Sequence, residues 1–102
     1  MTLIKELAEM IEDELDGAKE YAMYALKLKD EQPTLAKTYY DIATDELRHV
    51  GLLHGEVVML IEKHRREHGE PPASMTAVWN YVHEKHIEKT NEIKMLLSQY
   101  RA

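Results

Sequence analysis

The sequence predicts an all-α protein built from three long helices, and three observations carry that prediction. Apolar residues recur at steps of three and four along almost the whole chain. Only two segments hold helix-breaking residues, Asp30-Glu31-Gln32-Pro33 and His68-Gly69-Glu70-Pro71-Pro72. No stretch shows the strict alternation of a half-buried strand. Helices are expected over about 3–29, 33–67 and 73–100, all in one domain covering residues 1–102.

The first helix carries an apolar stripe at Leu3, Leu7, Met10, Gly17, Tyr21, Tyr24 or Ala25, and Leu28. The same rhythm skips one position, which is occupied by Glu14. Asp30 to Gln32 then form the turn, and Pro33 suits the first position of a new helix, where its missing N–H costs nothing. The second stripe runs Leu35, Tyr39, Ile42, then Leu53, Val57, Leu60. Its gap falls on Glu46 and on His49 or Val50. Gly69 fits the position just past a helix end, and the prolines after it prevent continuation. The third stripe, Met75, Val78 or Trp79, Val82, His86, Ile93, Leu96 or Leu97 and Tyr100, has polar interruptions at His86 and at Lys89 or Thr90.

Each of the first two helices thus has a carboxylate set into its apolar stripe, and a buried carboxylate needs a partner, a proton or a metal. With the turn centred near Glu31 and Gln32, the 1.5 Å rise per residue puts Glu14, Glu46 and His49 within roughly 5 Å of one height in an antiparallel hairpin. Glu-x-x-His projects both side chains to one side, because three residues advance about 300° and leave them about 60° apart. Gly17, one turn from Glu14, removes bulk beside this layer, although glycine inside a helix costs about 1 kcal/mol relative to alanine.

Glu46-Leu47-Arg48-His49 alone carries little information. The chain has 14 Glu and six His among 102 residues, so about one Glu-x-x-His is expected by chance. Its register with Glu14 gives it weight.

Composition narrows the chemistry. A chain of 102 residues hides roughly 60–70% of its unfolded surface, so polar residues at core positions are costly. The net charge of −6 speaks against nucleic acid or an anionic membrane as partner. With no cysteine, thiolate metal sites, iron–sulfur ligation and thiol catalysis are excluded. A metal would be held by oxygen and nitrogen, the donor set suited to iron, manganese or zinc. No apolar run reaches the roughly 20 residues that span a bilayer, and Met1-Thr2-Leu3-Ile4-Lys5-Glu6 has no signal-peptide pattern, so a cytoplasmic location is expected.

Di-iron bundles take one Glu from each of two helices and a Glu-x-x-His from each of two others. This chain offers half of that set. Two copies about a two-fold axis would supply four carboxylates and two imidazoles, with each Glu46 bridging and each Glu14 and His49 terminal. The expected partner is therefore a second copy, in a homodimer or higher homo-oligomer with a four-helix core.

Glu14, Ala18 and Tyr21, followed some thirty residues later by Glu46-Leu47-Arg48-His49, resemble the first helical hairpin of the ferritin-like superfamily, particularly rubrerythrins, bacterioferritins and the short encapsulated ferritins. The resemblance covers about residues 7–60. It implies a ferritin-like antiparallel hairpin, Glu14, Glu46 and His49 as iron ligands, and oxidation of Fe(II) by oxygen or peroxide at a di-iron centre. The chain departs from that pattern in having no second such hairpin, no rubredoxin-type domain, and a third helix without a clear counterpart.

The other functional class is a non-catalytic helical interaction module, in which a buried Glu–His network fixes pairing register. A single-metal carrier or sensor is a third option. Glu84 or His86 from the third helix could also complete a site within one chain. Elsewhere Tyr21, Tyr24, Tyr39 and Tyr40 read as core or rim aromatics, His54, His64 and His68 as surface or helix-end residues, and His83-Glu84-Lys85-His86 as a solvated charged face.

Overall fold

A computed structural model of the chain describes residues 2–102. It contains α1 (Thr2–Leu28), α2 (Pro33–His68) and α3 (Ala73–Arg101), with no strand among the described residues. The bounds fall within one or two residues of those expected. α1 ends where the Gln32 N–H bonds the Leu28 carbonyl at 2.8 Å, and Pro33 opens α2. α2 stops at Gly69, whose φ of 78° is a left-handed conformation that side chains resist; its N–H closes the helix on the Arg65 carbonyl at 2.9 Å. No helix among the described residues is long and apolar enough to cross a membrane.

α2 returns antiparallel along α1. Tyr39 packs against Tyr21 and Tyr24, Gly17 faces Glu46, and Glu14 meets His49, pairs disposed symmetrically about Glu31 and Gln32. α3 runs alongside α1 in the same direction: Glu12 contacts His86 and Lys89, and Lys19 pairs with Glu92 at 2.9 Å. The result is an up-down-up rod of 56 × 18 × 18 Å. α1 is the central element, while α2 and α3 meet chiefly at edges, where His54 stacks on His83 at 4.8 Å and Tyr40 on Tyr100 at 4.7 Å.

This central position corrects the expected stripe of α1. The fully buried line is Ile11, Leu15, Ala18, Ala22 and Ala25; Ala25 is one of the two residues expected at its position, and the other four lie one residue along from Met10, Glu14, Gly17 and Tyr21. A helix with neighbours on two sides centres its buried face between them. Leu3, Met10 and Tyr24 are consequently exposed at 54%, 50% and 42%, and Glu14 stands on the flank of the core. α2 behaves likewise: Ala36, Ala43 and Val57 are buried, whereas Leu35 is 43% exposed. The alanines at the heart of both helices let the backbones approach closely. On α3, His86, Ile93 and Leu97 form the buried line, while Met75 and Val78 are exposed.

A half-exposed apolar face therefore remains on the α1–α2 hairpin. It carries Leu3, Met10, Tyr24 and Leu35 and lies on the side of α1 away from Glu12, Asp16 and Lys19, the residues that reach α3.

Candidate metal centre

Glu14, Glu46 and His49 come together on that face. Each offers a donor atom, and the three atoms lie within 4.8 Å of one another, the one such convergence of three or more potential ligands among the described residues. All three side chains are partly buried. Glu46 and His49 leave α2 on one side, three residues apart, and Glu14 meets them from the matching level of α1. Gly17 faces Glu46 across the hairpin: a Cβ built there would stand 3.4 Å from Glu46 Oε2, in ordinary contact with it.

Electrostatics separate the two carboxyls. Glu46 is pushed up to about 7, first by its hydrogen bond to Glu14, then by burial and by the Glu14 charge. Glu14 is held below the usual carboxylate range, chiefly by that same hydrogen bond, against the opposing effect of burial, with His49 adding to the lowering. Below a pH of about 7 the pair thus shares a proton that resides on Glu46. His49 Nδ1 lies 3.3 Å from Glu14 Oε2. Since an ionised carboxylate only accepts, Nδ1 is the donor of this bond. Two carboxyls and an imidazole crowd together here, and protonation of Glu46 relieves the excess negative charge. A divalent cation would relieve it equally well.

The shift on Glu46 makes stability depend on pH. Between its ordinary value of 4.5 and about 7 the folded chain holds one proton that the unfolded chain has lost, so stability falls as pH rises. His54 and His86 work in the opposite sense: burial lowers both below 6.5, and stability they withhold in acid returns as pH climbs toward that value. Glu14 likewise adds stability above 4.5 and loses it in acid. Metal-free protein is therefore expected to melt at a lower temperature at pH 8 than at pH 6.5. Glu46→Gln should flatten that slope, as followed by thermal denaturation across the range.

Gly17 permits a second test. A contact of 3.4 Å is ordinary for a methyl group, and alanine is the better helix former by about 1 kcal/mol. Gly17→Ala is expected to raise the melting temperature by about 4–8 °C, with Glu46 left in place.

Some expectations are corrected. His86 and Glu84 do not join the cluster: His86 is buried, its Nε2 3.2 Å from Glu12 Oε2, and Glu84 is exposed. His83 to His86 is not a uniformly solvated face, because His83 stacks between His54 and Trp79. His54 is therefore a packing residue of the α2–α3 edge rather than a surface one. Tyr21 stacks on Tyr39 at 5.7 Å. Lys89, bonded to both Glu12 and Asp16, makes with His86 an ionic clasp between α1 and α3. The sequence signals for it were the acids four apart on α1 and the polar gap at His86 and Lys89.

Neither of two surface cavities of the rod, about 800 and 400 Å³, is lined by Glu14, Glu46 or His49. The cluster of Glu14, Glu46 and His49 is an open, partly buried group on a helix face. No family model, no curated protein and no solved structure matches this chain.

Proposed function

We propose that the chain is a metal-binding helical protein in which Glu14, Glu46 and His49 form half of a di-metal centre that a second copy completes. The observation that carries this reading is their convergence within 4.8 Å on a face that leaves apolar side chains partly uncovered. A second hairpin laid on that face would hide Met10, Tyr24 and Leu35 and bring two more carboxyls and another imidazole to the same layer. The donor set of oxygen and nitrogen suits iron first, with manganese or zinc as further candidates. Bound iron would supply Fe(II) oxidation by oxygen or peroxide. The protein's own part is to hold the ions, exclude water with the apolar rim, and release the Glu46 proton as a cation enters.

Anaerobic titration with Fe(II) is expected to reach about one ion per chain, two per dimer. Sedimentation should show a dimer in the loaded state, and admission of air should oxidise the iron rapidly. A folded protein that takes up no metal would sink the proposal, and a monomer that binds iron stoichiometrically would refute the shared centre.

A second reading has an observation in its favour. Glu14 bonds His49 at 3.3 Å, and the two carboxyls lie close enough for a proton on Glu46 to be stabilised by Glu14. Such a self-satisfied network could fix the register of a helical interaction module without any metal.

A further inference from the structure

The first turns of α1 and α3 and the last turns of α2 border an open space. A cavity of about 800 Å³ results, within the range of roughly 300–1,000 Å³ typical of small-molecule sites. Its walls are mostly apolar, with Ala8 from α1, Ile61 from α2 and Trp79 and Val82 from α3.

The ionisable side chains that line it are all basic. The chain holds 19 acidic residues against 13 Lys and Arg, yet no Asp or Glu lines this cavity, while Lys5, His64 and Arg65 do. Arg65 is already paired with Glu62 at 3.5 Å and Glu70 at 3.0 Å. Lys5 makes no ion pair among the described residues. The N-terminus of α3, whose Ser74 also lines the space, has no side-chain cap and no acid in its first turn, so its partial positive charge is left uncompensated.

We propose that this cavity binds an amphipathic monoanion, a carboxylic acid with a hydrocarbon body, whose chain lies against Trp79, Ile61 and Val82 and whose carboxylate faces Lys5 and the start of α3. The site is separate from Glu14, Glu46 and His49 and does not depend on the reading given to them.

Trp79 is the single tryptophan of the chain, so its emission reports occupancy directly. Titration with decanoate is expected to change that emission saturably, below the concentration at which decanoate forms micelles. Decanol, equal in chain length but uncharged, should bind about tenfold more weakly. Lys5→Glu, a change at an exposed position that should leave the fold intact by circular dichroism, should weaken decanoate about three- to fivefold. Ala8→Phe, which fills the cavity, should abolish the response. No saturable change in Trp79 emission, equal binding of decanol and decanoate, or an unaltered decanoate affinity in the Lys5→Glu protein would each overturn the proposal.

Discussion

Glu46→Ala is expected to fold with the helicity of the parent chain and to bind metal at least about 100-fold more weakly. Glu46 faces Gly17, carries the raised pKa of the pair, and is one of the three side chains proposed to hold the metal. Its removal leaves the Glu14–His49 bond in place and relieves the crowding of negative charge, so no loss of thermal stability is expected. Calorimetric titration with Co(II) or anaerobic Fe(II), beside circular dichroism, reads both quantities. Unchanged metal affinity would remove Glu46 from the centre, whereas altered pairing without any metal dependence would favour the register-fixing network.

Leu15→Ala should cost about 3 kcal/mol, with a fall in melting temperature of roughly 12–24 °C. Leu15 is fully buried in α1, within a core cluster drawn from all three helices, including Ile11, Val57 and Ile93. Its truncation leaves a void that alanine-rich neighbours such as Ala18, Ala22 and Ala43 cannot close by rotamer changes. Thermal and urea denaturation measure the loss. A cost below about 1 kcal/mol would mean that the interior collapses around the missing atoms. The contrast with Glu46→Ala is diagnostic, because Leu15 lies in the buried core and Glu46 is only partly buried on a helix flank: Leu15→Ala should bind metal normally at temperatures where it remains folded.

The three helices and their ends were legible because Pro33, Gly69 and the proline pair act locally, through backbone geometry that neighbours do not alter. The levelling of Glu14 with Glu46 and His49 was legible for a related reason: a tight turn and a fixed rise per residue determine which residues of a hairpin face each other. The buried face of α1 was not. A stripe through Leu3, Met10 and Tyr24 and a stripe through Ile11, Leu15 and Ala18 are both good helical faces, and only the placement of α3 decides between them. That choice altered the meaning of Glu14. It is no flaw in a core but a polar group on a flank, with Glu46 tuned by its neighbours rather than by deep burial. The partners of His86 were equally hidden, since pairing with Glu12 requires knowing that α3 travels in the direction of α1.

That shared direction has a kinetic consequence. The hairpin closes around a short turn, and its contacts join residues near in sequence, while the clasp linking Lys89 to Glu12 spans 77 positions. Local contacts form early and distant ones late, because the intervening chain must surrender its freedom before they are made. The order of assembly is thus written into the topology: Glu14, Glu46 and His49 gather while the chain is still two helices, and α3 arrives last, on the opposite side.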